Sequence, residues 1–356
     1  MRPAIGIKAI LLCAFVCLAS PALSRDKTDV LVMKNGDRFT CEVKNLENGI
    51  LKVELAYVDG TLSVDWLSVA RLESTALFLV QLQDGSTYSG KVIIPDTLSG
   101  VPLKIEILPN DTQESLTVDK SEIVRMTQTS DSFLHRFSGS LTIGALYSKG
   151  NSTTQYNVGS DLDYQEIRWG ARLRYSSNLS SSTGAQTSTR NQVESTAFRL
   201  LPWNNYFYGG AASFLQSSVQ GIQHQTNLAL NLGRYLKNTN RVRFTVLGGL
   251  GWQRTNYEPS VATQLSQDVA VALVSLSLEA FRFKKMRLDA TGSAVPAITD
   301  LGRFFYKTNL AYYLKLFGKI DWNFSFYGNW DTRPPRNFQG SDYGSSTGLS
   351  WTFGNK

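Results

Sequence analysis

The chain has 356 residues, of which 18% are charged and 42% hydrophobic, with a formal charge of +7. Its charge content is below the roughly 25% of an average soluble protein, and its basic residues are scattered, which excludes a nucleic-acid footprint. Beyond the first residues no stretch approaches the ~18 continuous apolar residues of a membrane helix, so any membrane span must be built from strands.

Residues 1–24 read as a secretory signal peptide. Arg2 and Lys8 supply the positive region, Ala9 to Ala19 the apolar run, and Pro21 breaks it. Ala22 and Ser24 are the small residues that favour cleavage before Arg25. Cleavage removes Cys13 and Cys17 and leaves Cys41 alone, so neither an intramolecular disulfide nor a cysteine metal site is expected. It also removes two basic residues and no acidic one, leaving a formal charge of +5.

Residues 25–128 carry a weak internal repeat, over about 29–74 and 77–127. "LVMKNGDRFTCEV" (31–43) resembles "LVQLQDGSTYSGKV" (79–92), and "VDWLSVARL" (64–72) resembles "VDKSEIVRM" (118–126). Each unit has an Asn-Gly or Asp-Gly pair, suited to hairpin turns that need positive φ. About 50 residues of short strands per unit predict a small SH3-like or Sm-like β module. Residues 129–136, with a solvated His135, read as a linker.

From residue 137 to 356 alternating runs recur twelve times: 137–149, 153–165, 167–179, 189–200, 205–216, 224–236, 241–254, 267–282, 286–296, 303–316, 319–331 and 342–354. Connections after even runs are short ("EI", "LPWNN", "KNTN", "FKK", "FGK"). Most of those after odd runs are longer and polar, as in "TNYEPSVATQLS" and "TRPPRNFQGS". Sorting of short and long connections to opposite ends is the layout of an antiparallel outer-membrane barrel. It predicts an all-β chain: a transmembrane barrel of about twelve strands, preceded by the small soluble module in the periplasm.

Alternation assigns faces. In "IRWGARLRYSSN" (167–178), Ile167, Trp169, Ala171, Leu173 and Tyr175 share one face, and Arg168, Arg172 and Arg174 the other. Turning that strand over would place three arginines in lipid at roughly 2–4 kcal/mol each, about 6–12 kcal/mol together. Runs 189–200 and 267–282 have no such contrast. Six of the seven tryptophans lie near ends of the runs. Trp252 and Trp330 are expected at the outer rim, and Trp169, Trp203, Trp322 and Trp351 at the periplasmic rim. Asp161, Asp163, Arg168, Arg172, Arg174, Arg243, Lys307, Lys315 and Asp321 are expected as a lumen charge network, tuning ion selectivity if the bore is open and plugging it if not.

"GSLTIGALYSKGNSTTQYNVGSDLDY" (139–164), with its "SKGNS" turn, resembles the opening hairpin of the YdiY-like "salt-induced outer-membrane protein" family, a group of unknown function. "DVLVMKNGDRFTCEVKNLENGILKV" (29–53) resembles the β module that often precedes that barrel. The resemblance implies an outer-membrane location and a barrel fold, and no established activity. "STGLSWTF" resembles the signal read by the barrel-assembly machinery, with Ser346, Gly348, Trp351 and Phe353 in the pattern positions. Gly354, Asn355 and Lys356 follow, where such barrels commonly end on the last aromatic.

Little else carries chemistry. His224 with Thr226 is a thin constellation for a lipid-modifying enzyme, and paired Asp161 and Asp163 read as structural ion partners. No calcium loop or phosphate loop is present in the sequence. The reading is therefore a non-enzymatic outer-membrane barrel without cofactor. It serves envelope or salt-stress adaptation or forms a narrow pore; a lipid-modifying enzyme and a non-conducting scaffold are the alternatives. Its expected partners are outer-membrane lipid, the assembly machinery during biogenesis, and a periplasmic protein or peptidoglycan through residues 25–128.

Overall fold

The computed structural model describes residues 27–58, 60–94, 104–109, 116–128, 137–148, 153–166, 168–181, 187–258, 266–282, 285–334 and 339–353. The residues expected as a signal peptide and as a linker with His135, most of the "SKGNS" turn and the last three residues lie outside the described residues.

The first nine strands form one antiparallel sheet: β1 (Asp29–Met33), β2 (Arg38–Glu47), β3 (Ile50–Leu55), β4 (Thr61–Asp65), β5 (Val69–Leu82), β6 (Thr87–Ile94), β7 (Lys104–Pro109), β8 (Leu116–Asp119) and β9 (Ile123–Gln128). Both expected hairpin turns form, with Gly36 at φ 91° and Gly85 at φ 92°. The two sequence units fold alike. Each runs through a hairpin and further strands to a short 3-10 turn, Trp66–Ser68 in the first and Lys120–Glu122 in the second. The long β5 pairs with β1, β6 and β9 and ties both units into one sheet.

The two units also share one core. Leu31, Val43, Leu51, Trp66 and Leu72 of the first pack with Phe78, Val92, Ile123 and Met126 of the second. The 3-10 turns interlock: the Trp66 indole N–H donates to the Lys120 carbonyl at 3.2 Å, and the Lys120 ammonium lies 4.9 Å from the Trp66 ring centroid and donates to the Val69 carbonyl. Buried Asp29 accepts from the Val43 N–H at 2.8 Å and the Ser74 hydroxyl at 2.6 Å. Cys41 is free and buried, and burial, reinforced by Asp29 and Glu42, pushes its thiol up to about 12.

The remaining strands close a twelve-stranded antiparallel barrel: β10 (Phe137–Ser148), β11 (Thr153–Gln165), β12 (Trp169–Ser181), β13 (Ser188–Leu200), β14 (Tyr206–Ser217), β15 (Ile222–Asn238), β16 (Val242–Tyr257), β17 (Ser266–Arg282), β18 (Met286–Pro296), β19 (Phe304–Phe317), β20 (Ile320–Asp331) and β21 (Ser341–Phe353). Neighbours in sequence pair in order, and β21 returns to β10. The short connections gather at the end where β10 begins and β21 finishes, and the longer ones at the opposite end.

The faces follow the alternation. Leu141, Ile143, Tyr156, Leu173, Leu230, Leu250, Val274 and Leu349 are exposed on the outside. Asp161 and Asp163 lie opposite Arg174 and Arg172 on the inner face. Trp169, Trp322 and Trp351 face out near the short-turn end, and Trp203 is exposed in the turn 201–205. Trp252 and Trp330 lie on the outer face toward the long-loop end. One expected member stands apart from the inner cluster: Arg168 is exposed in the turn before β12, at the short-turn rim, where its carbonyl bonds the Leu200 N–H at 2.7 Å.

Burial, with Lys34 nearby, pulls the Lys120 ammonium down from 10.5 to about 7, and Asp65 acts in the opposite sense. Between these values the unfolded chain binds a proton that the folded module has released. Module stability should therefore rise as pH increases from about 7 to about 10.5, and sit at its low plateau below 7. We expect the urea midpoint of the module, read by pulsed labelling of Cys41 at a fixed pH, to climb between pH 7 and about 8, below the range in which Cys41 and Lys52 change charge. In Lys120→Met it should be flat over that interval.

Candidate functional site in the barrel lumen

Inward side chains along β11, β12, β13, β16, β17 and β18 form the densest charge cluster in the barrel. Arg172 pairs with Asp163, and Arg174 Nε donates to Asp161 at 2.9 Å. These are cross-strand neighbours, fixed by the β11–β12 register. Arg174 also reaches Glu194 on β13 at 3.8 Å, and Arg287 pairs with Asp289 along β18 at 2.9 Å. Glu279 on β17 takes Arg243 of neighbouring β16 at 3.0 Å and Arg172 of distant β12 at 3.5 Å. β12 and β17 are five strands apart in the barrel order, so this last contact crosses the bore.

Toward the long-loop end a second cluster fills the lumen. Arg190 and Asp342, each 4% exposed, pair at 2.7 Å. The Ser217 hydroxyl donates to Asp342 at 2.8 Å, and the Arg190 guanidinium lies 4.5 Å from the Tyr327 ring centroid. Removing Asp342 would strand a buried cation at a cost of about 3–5 kcal/mol. Beside this cluster, Arg303 holds Asp331 at 2.6 Å and the Tyr257 hydroxyl at 3.2 Å. Its guanidinium lies 4.8 Å from the centroid of Phe305, which packs with Val269, Val271, Val295 and Ala297. These groups narrow the long-loop end with apolar and ion-paired side chains together.

The short-turn end is covered by the N-terminal module. Asn205 Nδ2 donates to the Gln83 carbonyl, and Asn240 Nδ2 to the Ile123 carbonyl, each at 2.6 Å. The module's tips press close. A Cβ on Gly49 would lie 2.7 Å from the Asn240 carbonyl oxygen, and one on Gly85 2.7 Å from the Asn205 nitrogen. Both glycines have positive φ, so any side chain is doubly disfavoured. Glu47 and Arg125 of the module, paired at 2.9 Å, cap a cavity of about 320 Å³ whose other walls include Arg172, Arg243 and Glu279. Burial first, then Lys315 near the end of β19 and Lys319 of the β19–β20 turn, pull the Lys52 ammonium down to about 8. The junction therefore holds like charges close together.

The expected network is thus partly gathered and partly dispersed. Asp161, Asp163, Arg172, Arg174 and Arg243 meet in one cluster. Lys315 and Asp321 form a separate pair at 3.6 Å near the short-turn rim, and Lys307 faces the lumen opposite Asn329. Sequence reading missed Glu194, Glu279, Arg190, Asp342, Arg303 and Asp331. Glu279 was legible: between Val269 and Phe281 it is the one charged side chain, and it shares its parity with Ser275 and Ser277. Arg190 was hidden because both faces of β13 are polar. Ser346 and Gly348 face inward and Trp351 outward on β21, and Phe353 pairs with Gly139.

Residues 141–353, nearly the whole barrel, match the family described as a protein of unknown function, DUF481. The chain belongs to this family. The DUF481 match begins within β10 and leaves the N-terminal module outside it. No curated protein matches the chain. Among solved structures, a porin refined at 1.8 Å resolution is similar at 10% identity, with 61% of this chain and 99% of that one covered and a TM-score of 0.30. CdiB from Acinetobacter baumannii is similar at 12% identity over 79% of this chain and 53% of that one, with a TM-score of 0.36. The beta domain of the Bordetella autotransporter BrkA is similar at 11% identity over 61% and 98%, with a TM-score of 0.29.

The glycine contacts at the junction make it separable from the barrel. Gly49→Val and Gly85→Val are expected to lift the module while the barrel stays closed. Thr245→Cys, on the wall of the capped cavity, should then react with a bulky maleimide at least tenfold faster than in the parent; an unchanged rate would mean the tips are not what holds the cap.

Proposed function

We propose that this DUF481 protein is an outer-membrane barrel that rests shut, with its N-terminal module acting as a periplasmic cap over the lumen. The observation that carries this reading is the contact between Arg172 and Glu279 across the bore, beneath a mouth covered by Glu47 and Arg125. An open pore would leave such groups apart. Outward leucines, bounded by Trp322 and Trp330 on one strand, suit the roughly 25 Å apolar band of an outer membrane and its aromatic girdles. Ser346, Gly348, Trp351 and Phe353, on the strand that closes the barrel, suit recognition by the assembly machinery. The setting we propose is envelope adaptation to salt or stress, with conduction confined to states in which the cap has moved.

The module's far side is where a periplasmic protein or peptidoglycan would bind. Tyr57, 73% exposed, and Leu62 offer it apolar surface at the β3–β4 edge. We assign no catalytic role. His224 contacts the amide of Asn256, where the usual triad has a carboxylate.

In planar bilayers the full chain should show near-zero steady conductance. Arg172→Ala and Glu279→Ala, combined with Gly49→Val and Gly85→Val to lift the cap, should produce frequent openings. Large steady conductance from the unaltered chain would contradict the reading. His224→Ala should leave any lipid hydrolysis by the preparation unchanged.

A further inference from the structure

The barrel closes unevenly. β10 and β21 pair over five positions, from Gly139 opposite Phe353 to Ile143 opposite Leu349, all in the short-turn half. By contrast, the other edge of β10 pairs with β11 along its whole length, from Phe137 to Ser148. The other edge of β21 likewise pairs with β20 from Trp351 to Ser341. The two strands still touch at Gly144, where a Cβ would lie 2.5 Å from the Thr347 carbonyl oxygen. Among the described residues no pair between them follows.

The opened stretch lies within the apolar band. Along β20, Trp322 is opposite Leu349 and Trp330 is opposite Ser341, so residues 341–348 of β21 lie between the two tryptophan levels. Bare strand edges are not tolerated against hydrocarbon, because their N–H and C=O groups have no partner there. Something polar must therefore enter the gap from the lumen or from the membrane.

A cavity of about 720 Å³ lies in this half of the barrel, between the β21 edge and β11–β12. Its walls come from both faces of the barrel. Trp322 and Phe324 belong to the outer, apolar face, and Asn157 and Asn178 to the lumen. The charged side chains lining it, Arg190 and Asp342, neutralise each other. Its size is that of a small-molecule site, and its polarity changes from hydrocarbon-like to amide-rich across the barrel wall.

We propose that the half-open β10–β21 seam is a lateral portal for a bilayer amphiphile. Its uncharged or zwitterionic headgroup would sit against Asn157 and Asn178, and its tail would lie along Phe324 in the membrane. The portal faces the outer half of the bilayer, because the seam is unpaired toward the long-loop end. The inference rests on the barrel spanning a membrane and is independent of whether the cap moves.

The test is photocrosslinking. p-Benzoylphenylalanine replaces Asn178 at the portal, or Asn227 on the far wall of the lumen, in the full chain reconstituted into phosphatidylcholine or phosphatidylglycerol vesicles. Flotation of protein with the vesicles checks the membrane reading separately. We expect a lipid adduct at position 178 with phosphatidylcholine, at least tenfold less with phosphatidylglycerol, and at least tenfold less at position 227. Adding Ala145→Cys and Thr347→Cys, which face each other if the ladder is continued, should abolish the adduct on oxidation and restore it on reduction. No adduct at 178 in floating protein, an equal one at 227, or one that survives the oxidised pair would overturn the portal. Equal labelling by both lipids would overturn the headgroup assignment. If the cysteine pair does not oxidise, the strands are too far apart to close and the contrast between 178 and 227 decides.

Discussion

The pairing of β21 with β10 is the contact on which the rest of the barrel depends. Eleven hairpin neighbours in the barrel are joined by local connections, but this pair joins positions some 200 residues apart. Without it the sheet has two bare edges, and a strand edge in an apolar surround has nothing to satisfy its backbone. Five residue pairs are enough to make the sheet a ring. Closure gives every inward position a facing wall, and the inner charges then meet.

The inner charges are paired more than they are placed for passage. Arg172 answers both Asp163 on the next strand and Glu279 across the bore, so that one guanidinium couples two walls. The module continues the same logic from below with Glu47 and Arg125. Its docking tips are glycines at positive φ, which approach the barrel turns more closely than any side chain would allow. The module's own rigidity comes from the two units sharing β5 and one core, so the cap is a single body.

The barrel was legible because its signals are local and repeated. A strand such as β12, with Trp169, Ala171, Leu173 and Tyr175 on one face and Arg172 and Arg174 on the other, can be assigned from its own residues. Connection lengths sorted the two ends without any three-dimensional information. The strand limits read from alternation fall within three residues of those observed, with β15 and β16 running furthest beyond them. What stayed hidden was long-range. The Arg190–Asp342 pair joins positions 152 residues apart, on a strand whose two faces are both polar. Arg168 stands apart because the alternation runs on into the turn before β12. The repeat in the module was visible, but its fusion into one sheet was not, since nothing in either unit alone says that β5 serves both. That the module covers the barrel mouth depends on Asn205 and Asn240 meeting backbone carbonyls more than a hundred residues away, which no pattern in the chain announces.

The most direct test of this account is whether the module sits on the short-turn mouth in the native membrane. Asp84→Cys and Asn204→Cys flank the contact between Gly85 and Asn205, and Cys41 does not compete because it is buried. A short bis-maleimide added to outer membranes should link the two introduced cysteines within one chain in high yield, and each single variant should give no internal link. Failure to link, with both cysteines individually reactive, would contradict a capped barrel and leave the module free of the mouth it is held here to close.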